Sequence, residues 1–234
     1  MRIMTFNTQH CLNYREQKID YALMAATIGS FDAEIVGLNE MRSVGDGEGF
    51  EHNQTEVLSQ LTGMEHYCFA KAIDVPGGGP YGNGFLSRIP IEAYEVIPVP
   101  DPQVRMPGVH YESRCLLKIK LTNGMTVLVI HFGLNKSEQV NAAETVVANL
   151  SDEKCILMGD FNVTPDDEVL LPIRQKMKDT ADKFTGPLLS YPSYNPEVKI
   201  DYIFVSPDIE VVSADIPNVV ASDHRPHIAE IKIK

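Results

Sequence analysis

The feature of this sequence that most limits its fold is a series of short apolar runs that each end abruptly in polar groups. Several are rich in β-branched residues and too short for helices, so they predict buried strands. They cover residues 3–6, 34–38, 126–130, 156–158, 200–205, 209–211 and 228–233.

Helical spacing of apolar residues appears in three other stretches, residues 18–28, 54–61 and 136–150. Two stretches rich in glycine and proline, residues 75–82 and most of 98–107, are predicted loops. Neither loop is long or polar enough to link domains. We therefore expect residues 1–234 to form one domain, with packed sheets covered by helices.

The charge balance bears on the possible partners. The chain has 20 Lys and Arg against 32 Asp and Glu, a net charge of −12. This charge opposes non-specific binding of nucleic acid, which depends on Lys and Arg at phosphates. A bound cation or a local basic groove can reverse the field, so nucleic acid stays open as a partner.

Compartment and membrane contact follow from two further features. No apolar run approaches the roughly 20 residues of a membrane span, and the first residues read as a strand rather than a signal peptide. The four cysteines (Cys11, Cys68, Cys115 and Cys155) contain no C-x-x-C pair, which indicates neither a zinc site nor a disulfide framework. We expect a cytoplasmic protein with no membrane contact and no obligate protein partner.

Polar side chains stand where apolar strands stop. Glu40 ends the run 35–38, and a carboxylate there suits a hard divalent cation such as Mg²⁺. The run 156–158 passes through Gly159 into Asp160 and Asn162, whose side chains point to one side of the sheet. They can position a water and a phosphoryl oxygen, although the same residues can also form a turn that caps the strand.

An aspartate, Asp201, lies inside an otherwise apolar strand and needs a partner, because a lone buried charge costs several kcal/mol. We expect His224 to be that partner, since an aspartate fixes the tautomer of a histidine and raises its pKa. His131, at the end of another strand, is a candidate donor to a developing oxyanion. The remaining histidines are expected to be structural: His10, His52, His66, His110 and His227.

These residues, in this order and rough spacing, resemble the endonuclease/exonuclease/phosphatase superfamily. The similar motifs are Phe6-Asn7, Leu38-Asn39-Glu40, Tyr81-Gly82-Asn83-Gly84, His131, Gly159-Asp160-Phe161-Asn162, Ile200-Asp201-Tyr202 and Ser222-Asp223-His224. The resemblance spans nearly the whole chain. It implies an α+β fold, a four-layer αββα sandwich of two mainly antiparallel sheets flanked by helices, and a phosphoester hydrolase that depends on Mg²⁺ or Mn²⁺.

The resemblance also implies roles for individual residues. It assigns Glu40, Asn7 and Asp223 to the metal, with Glu40 as a direct ligand. It assigns catalysis to Asp160, Asn162, His224, Asp201 and His131. Asp160 would orient or activate the water, and His224, oriented by Asp201, would act as base or stabilise the phosphate. Arg114 and Asn83 would bind phosphate. Gln9 stands where some relatives have another acid, which weakens a two-metal interpretation.

The resemblance does not fix the substrate. The candidate loops carry Arg105 and little other positive charge, and no exposed apolar hairpin suggests a lipid substrate. We therefore expect a small soluble phosphorylated substrate, sugar- or nucleotide-like. The alternatives are a nuclease acting on DNA or RNA and a non-catalytic binding module, against which the complete set of candidate catalytic residues argues.

Overall fold

The structure of this chain is a computed structural model that describes residues 1–184, 186 and 188–233. Its strands are β1 (Arg2–Asn7), β2 (Leu12–Asn13), β3 (Lys18–Ile19), β4 (Ile35–Arg42), β5 (His66–Val75), β6 (Gly79–Ser87), β7 (Ile91–Pro98), β8 (Cys115–Leu121), β9 (Thr126–His131), β10 (Cys155–Asp160), β11 (Lys178–Asp179), β12 (Asp201–Val205), β13 (Ile209–Asp215) and β14 (His227–Ile233). Its α-helices are α1 (Tyr21–Gly29), α2 (Gln54–Thr62), α3 (Lys136–Asn149) and α4 (Leu171–Arg174), and 3₁₀ turns span Gln9–Cys11, Glu168–Leu170 and Thr180–Lys183.

Most of these strands form two sheets of 6 strands each. Sheet one has the order β13-β14-β1-β4-β6-β5, and sheet two has the order β11-β12-β10-β9-β8-β7. Within sheet one only β1 and β4 are parallel neighbours, and within sheet two only β9 and β10, among the strands described. The sheets are therefore mainly antiparallel, as the resemblance implies.

Three hydrophobic clusters separate four layers. Side chains of both sheets fill the middle cluster, among them Ile35, Phe85, Val129, Met158 and Ile203. The outer cluster of sheet one joins its strands to α1 and α2, through Met24, Ile28 and Leu58. The outer cluster of sheet two joins its strands to α3 and α4, through Ala142, Val146 and Ile173. The four-layer αββα sandwich is confirmed.

Side chains alternate along the central strands, and this alternation decides which polar groups face the space between the sheets. In β10, Ile156 and Met158 belong to the middle cluster, whereas Leu157 faces the helices. Gly37 of β4 lies against Met158: a Cβ atom at Gly37 would lie 2.6 Å from the Met158 sulfur. Glycine at this position therefore allows the sheets to approach closely.

The three predicted helices are present, but the first begins later than the apolar spacing suggests. Its N-terminus is set by Asp20, whose side chain accepts a hydrogen bond of 2.9 Å from the Leu23 amide. Residues 18–19 instead pair with β2 as the short strand β3. An N-cap aspartate satisfies an unpaired amide of the first turn, so α1 begins at Tyr21.

The loop predicted over residues 75–82 is wrong for its second half. Gly77 and Gly78 form part of the tight turn between β5 and β6, where the Gly78 amide donates to the Val75 carbonyl. Residues 79–82 already pair with β5. A Cβ at Gly82 would lie 1.9 Å from the Ala70 carbonyl oxygen, so this glycine serves the pairing of two strands rather than a loop.

The segment that joins β7 to β8 forms most of the second predicted loop. We call residues 99–114 the connecting segment. Its ends are joined by a hydrogen bond of 3.0 Å from the Val99 amide to the Arg114 carbonyl. Ser113 donates to Asp101 at 2.8 Å, and Asn141 of α3 donates to the Pro100 carbonyl at 2.8 Å. The segment is thus anchored to α3 while belonging to neither sheet.

All four cysteines are buried free thiols; Cys115 belongs to the middle cluster and Cys155 to the outer cluster of sheet two. Among the described residues, no helix is both long and apolar enough to span a membrane.

Candidate active site

Four buried polar side chains stand where the two parallel strand pairs end. Asn7 of β1 is in register with Asn39 of β4, and Asp160 of β10 with His131 of β9. Asn39 joins the sheets: its side chain accepts from the Asp160 amide at 2.9 Å and donates to the Ile130 carbonyl at 2.9 Å. The two central strand pairs therefore deliver their last side chains to one place.

Asp160 is the centre of this arrangement. Its Oδ2 accepts from Asn7 Nδ2 at 3.0 Å and lies 3.5 Å from His131 Nε2 and 3.6 Å from His224 Nε2. Its Oδ1 accepts from the Asn162 amide at 2.9 Å. Burial raises the pKa of Asp160 to about 7, against the opposing charge of His224. Three nitrogen-bearing side chains thus surround one carboxylate oxygen.

His224 is held by the buried strand aspartate. Its Nδ1 lies 2.8 Å from Asp201 Oδ2, so the pairing predicted from the sequence is confirmed. Burial lowers the pKa of His224, but the carboxylates of Asp201, Asp160 and Asp223 outweigh burial and raise it to about 10. The Tyr191 ring packs against the imidazole with 4.8 Å between centroids. The ring is fixed in place with Nε2 directed to the site.

His131 is held in the opposite electrostatic state. Burial, followed by the charge of Arg114, lowers its pKa well below the usual range. Arg114 Nη1 lies 3.3 Å from His131 Nδ1. Because a guanidinium only donates, Nδ1 accepts, and the neutral ring carries its hydrogen on Nε2, near Asp160. Asn162 Nδ2 donates to the Phe132 carbonyl at 3.0 Å and lies 3.3 Å from the same Nε2.

Glu40 reaches the site through an irregularity in β4. The register between β4 and β6 shifts between Leu38 and Met41, and Glu40 adopts a φ of 61°. Such a bulge re-aims a side chain that strand alternation would direct elsewhere. Glu40 Oε1 accepts from Asn7 Nδ2 at 3.1 Å, and Oε2 lies 4.0 Å from His10 Nδ1. Burial raises the pKa of Glu40, against the hydrogen bond from Asn7.

These groups border an open cleft of about 400 Å³. Its lining combines carboxylates with hydrogen-bond donors and two tyrosines. The lining residues are Glu40, Tyr81, His110, Glu112, Arg114, His131, Leu134, Glu138, Asp160, Asn162, Tyr191, Ile200, Asp223 and His224.

The carboxylates of Glu40 and Asp223 are candidate ligands for a divalent cation, because burial disfavours their negative charge when no cation is bound. Burial raises the pKa of Glu40 and of Asp223, and the charge of Asp223 raises that of Glu40 further. Crowded hard oxygen donors at a cleft are the ligands that Mg²⁺ and Mn²⁺ prefer. Among the described residues, Asp160, Asp201 and His224 form a group of three that lie close enough together to hold an ion. Since the Asp201 hydrogen bond occupies His224 Nδ1, we interpret that trio instead as one hydrogen bond, between Asp201 and His224, followed by a charge contact of 3.6 Å between His224 and Asp160.

Comparison with known proteins agrees with this geometry. The model of the Endonuclease/Exonuclease/phosphatase family matches residues 4–224. The chain belongs to this family. Members of the endonuclease/exonuclease/phosphatase family hydrolyse phosphoester bonds and commonly use divalent metals.

Three solved structures illustrate the shared fold, and the match to each of them covers 100% of this chain. The endonuclease/exonuclease/phosphatase from Beutenbergia cavernae DSM 12333 is similar with a TM-score of 0.82, 23% identity and 71% of its own length covered. A functionally unknown conserved protein from Enterococcus faecalis V583 has a TM-score of 0.76, 19% identity and 100% coverage. The mannosyl-6-phosphatase of Bacteroides thetaiotaomicron VPI-5482 has a TM-score of 0.73, 17% identity and 100% coverage. No curated protein sequence matches the chain.

The structure brings together nine of the ten residues that the family resemblance singles out. Seven of them line the cleft: Glu40, Arg114, His131, Asp160, Asn162, Asp223 and His224. Asn7 and Asp201 lie behind the lining and hold it by hydrogen bonds. Asn83 does not line the cleft: its Oδ1 accepts from Asn39 at 2.8 Å and its Nδ2 donates to the Cys115 carbonyl at 2.9 Å. Its amide is thus engaged between strands rather than turned to a phosphate.

Asn7 stands beside Glu40 with its nitrogen, not its oxygen, toward the site. Its Oδ1 accepts from the Gln9 amide at 3.0 Å, while Nδ2 donates to Glu40 and Asp160. In this orientation it positions two carboxylates and offers no oxygen to a metal.

Sequence reasoning missed several groups at the site. His10 and His110, both expected to be structural, lie beside Glu40 and in the cleft lining, respectively. Glu112 pairs with the Arg114 guanidinium. Its place two residues before Arg114 puts both side chains on one side of an extended chain, a signal that the sequence does contain. The bulge that presents Glu40 has no comparable signal.

Proposed function

We propose that this chain hydrolyses phosphoester bonds of small soluble phosphorylated substrates with the help of Mg²⁺ or Mn²⁺. The observation that carries the proposal is the chain of contacts from Asp201 through His224 to Asp160, with distances of 2.8 Å and 3.6 Å. This series of contacts ends at Asp160, in a cleft that Arg114 and Glu40 also line. A charged acceptor, fixed donors and crowded carboxylates in one cleft suit attack on a phosphorus atom.

Each residue then has a defined task. Asp160 accepts a proton from the attacking water, since its carboxylate is fixed at the centre of the site. His224, oriented by Asp201, donates through Nε2 to a phosphate oxygen. His131 and Arg114 donate to the charge that develops on the phosphate, and Asn162 lies alongside them. Fixed donors need no rearrangement during the reaction, which lowers the barrier.

Glu40 and Asp223 are the residues that would hold the cation, with Asn7 orienting Glu40. A divalent cation bound there would neutralise phosphate oxygens and stabilise the leaving oxygen. The raised pKa of each carboxylate supports this assignment, because a bound cation relieves the repulsion between them.

Charge and size support a small substrate over nucleic acid. The cleft holds about 400 Å³, within the range of small-ligand sites, and Glu40, Glu112 and Glu138 make its lining acidic. Arg105, which with Arg114 makes up the Lys and Arg of the connecting segment, is ion-paired with Asp101 at 2.8 Å. A neighbour of the same fold, the mannosyl-6-phosphatase, is named for a phosphorylated sugar. A sugar phosphate is therefore the first substrate to test.

We also propose that residues 1–234 form one domain, because strands from the whole chain share the middle hydrophobic cluster. The four free thiols suit a reducing compartment, which supports a cytoplasmic location.

The test is hydrolysis by metal-stripped protein with Mg²⁺ or Mn²⁺ added back. The substrates are bis-p-nitrophenyl phosphate, p-nitrophenyl phosphate, a panel of sugar phosphates, plasmid DNA and RNA. His224→Gln, purified in the same way, controls for a contaminating phosphatase. Its melting curve is recorded alongside, so that loss of activity is not mistaken for loss of the fold.

Metal-dependent release from small esters, absent in His224→Gln, would support the proposal. Nicked plasmid or degraded RNA would make the protein a nuclease despite its charge. Turnover that is equal in His224→Gln would remove this site from the reaction. Silence across the panel, with metal binding intact, would favour a non-catalytic binding module.

A further inference from the structure

Directly after Asn7, the backbone enters an unusual conformation. Residues 9–11 have φ values of 47°, 47° and 62°, although none of the three is glycine. A left-handed backbone at a non-glycine residue costs of order 1 kcal/mol or more and persists only where its surroundings hold it. Here Gln54, which is fully buried, holds the turn: its Nε2 donates to the His10 carbonyl at 2.7 Å and its Oε1 accepts from the Arg42 amide at 2.9 Å.

Gln54 thereby ties together two strained places. One is the turn at residues 9–11, and the other is the bulge of β4, where Glu40 has a φ of 61°. The turn includes His10, whose carbonyl accepts from Gln54. The bulge lies just before Arg42, whose amide donates to Gln54. These two hydrogen bonds of Gln54 fix the position of the His10 backbone relative to Glu40.

The hydrogen bonds of Gln54 bring the His10 side chain close to Glu40. His10 Nδ1 lies 4.0 Å from Glu40 Oε2, beyond hydrogen-bond distance. The imidazole rests against the Phe50 ring at 5.8 Å between centroids. Neither ring nitrogen of His10 makes a hydrogen bond to any residue that the structure describes. The other oxygen of Glu40 is taken by Asn7.

The two atoms are one small approach away from sharing an ion. Two metal–ligand bonds of about 2.1 Å at octahedral or tetrahedral angles join atoms that lie about 3.0–3.4 Å apart, so His10 Nδ1 and Glu40 Oε2, at 4.0 Å, need to approach by less than about 1 Å. We propose that His10 is a further ligand of the cation held by Glu40, and that it shifts the preference of the site from Mg²⁺ toward transition metals. This inference rests on the proposed function, which puts the cation at Glu40.

The chemistry of the ligands gives the direction of the shift. Mg²⁺ prefers oxygen donors and binds imidazole poorly, whereas Co²⁺, Ni²⁺ and Zn²⁺ accept imidazole readily. A site of carboxylates alone leaves Mg²⁺ competitive at cellular concentrations. Adding an imidazole strengthens the binding of Co²⁺ with little effect on Mg²⁺.

The test is calorimetric titration of the metal-free protein with Co²⁺ alone and with Mg²⁺ alone. The variant is His10→Asn, because asparagine tolerates the left-handed backbone at this position. His52→Asn is the matched control, since His52 is an exposed histidine outside the cleft. The visible absorption of bound Co²⁺ is a second readout, because it changes when an imidazole leaves the metal.

We expect His10→Asn to weaken Co²⁺ binding by about tenfold, the lower end of what losing a group at a metal site costs. Mg²⁺ binding should change by less than about twofold, a ratio that the ligand chemistry predicts. His52→Asn should leave both unchanged. Equal weakening of both ions, or no weakening of Co²⁺, would overturn the inference.

Glu40→Gln separates this inference from the proposed function. If Glu40→Gln weakens both ions while His10→Asn leaves their ratio unchanged, the cation site stands and His10 is not its ligand. If Glu40→Gln affects neither ion, the cation is not at Glu40, and both proposals fail at that point.

Discussion

The two parts of the chain bury very different polar groups. Among the described residues up to position 87, the buried polar side chains are amides and hydroxyls, such as Asn7, Asn39 and Asn83, and none is acidic, basic or an imidazole. From position 131 onward the buried set includes ionisable residues: His131, Glu138, Asp160, Lys199, Asp201, His224, Arg225 and His227. The first part therefore contributes a frame of buried polar side chains that do not themselves titrate. The second contributes charge, which must be paired to be buried.

The two buried histidines that contact Asp201 show what such pairing does. His224 faces the carboxylate of Asp201, and its pKa is raised. His227 faces the backbone carbonyl of the same residue at 3.3 Å, and burial lowers its pKa well below the usual range. Two imidazoles at similar depth thus have pKa values shifted in opposite directions: carboxylates outweigh burial at His224, whereas burial and the charge of Lys199 act together at His227. The difference between the parts of the chain is chemical rather than a matter of depth.

The largest effect is expected from Asp160→Asn, which changes an ionisable residue of the second part of the chain. The amide keeps the shape but cannot accept the proton of water, so kcat/KM should fall by about 10²–10⁴-fold. Steady-state hydrolysis of bis-p-nitrophenyl phosphate measures this, with a melting curve to show that the fold is kept. Activity within threefold of the wild type would take Asp160 out of the reaction.

Asn39→Ala tests the uncharged buried side chains of the first part of the chain, through the stability of the fold. This change leaves the Asp160 amide, the Ile130 carbonyl and the Asn83 side chain without their buried partner. At about 1 kcal/mol or more for each unsatisfied group, the free energy of unfolding should fall by about 3 kcal/mol. Urea denaturation measures it, and Asn195→Ala, at an exposed asparagine, is the control. An equal loss in both variants would contradict a role for Asn39 in joining the sheets.

Lys199→Met sharpens the comparison through pH. Burial lowers the pKa of Lys199 to about 8, although Asp179 and Asp201 oppose the shift. Between pH 8 and the unfolded value of 10.5 the unfolded chain binds the Lys199 proton more tightly, so the contribution of Lys199 to stability rises with pH across this window. The lysine costs up to about 3 kcal/mol below pH 8, and the cost disappears above pH 10.5.

The methionine lacks this titration. The stability of Lys199→Met relative to wild type should therefore be greatest near pH 7 and decline toward pH 10.5. Taking the difference between the two proteins at each pH removes the contribution of groups they share. A difference that does not vary with pH would mean that Lys199 titrates normally.

The smallest effect is expected from Arg105→Ala in the connecting segment. Arg105 and Asp101 form an ion pair of 2.8 Å, but both side chains are 47% exposed. Exposed pairs of this kind contribute about 0–1 kcal/mol. The midpoint of urea denaturation should hardly move, and a loss comparable to that of Asn39→Ala would refute the view that only buried polar groups matter here.

Sequence reasoning reached some parts of the structure and not others, for physical reasons. Strands β1, β9, β10 and β12 are buried apolar runs, and their pattern is local. Strand β6 escaped because its glycines, which are typical of loops, here allow close strand pairing. Strand β7 escaped because most of its side chains are exposed. In both cases the neighbouring strand, not local propensity, decides the structure.

The candidate site divides in the same way. Glu40, Asp160, Asp201 and His224 are visible as polar residues next to apolar strands. The approach of His10 to Glu40 is not, because it depends on a left-handed turn held by Gln54, a residue 44 positions away. Strain stored by tertiary contacts leaves no trace in a local pattern.

The connecting segment has a consequence for how this scaffold diversifies. It contributes His110, Glu112 and Arg114 to the cleft, yet it belongs to neither sheet. The proposed water-activating and cation-holding residues come from other parts of the chain. Swapping or lengthening residues 99–111 while retaining Arg114 therefore offers protein engineers a way to reshape one wall of the cleft without altering the residues proposed to act on the water and the cation.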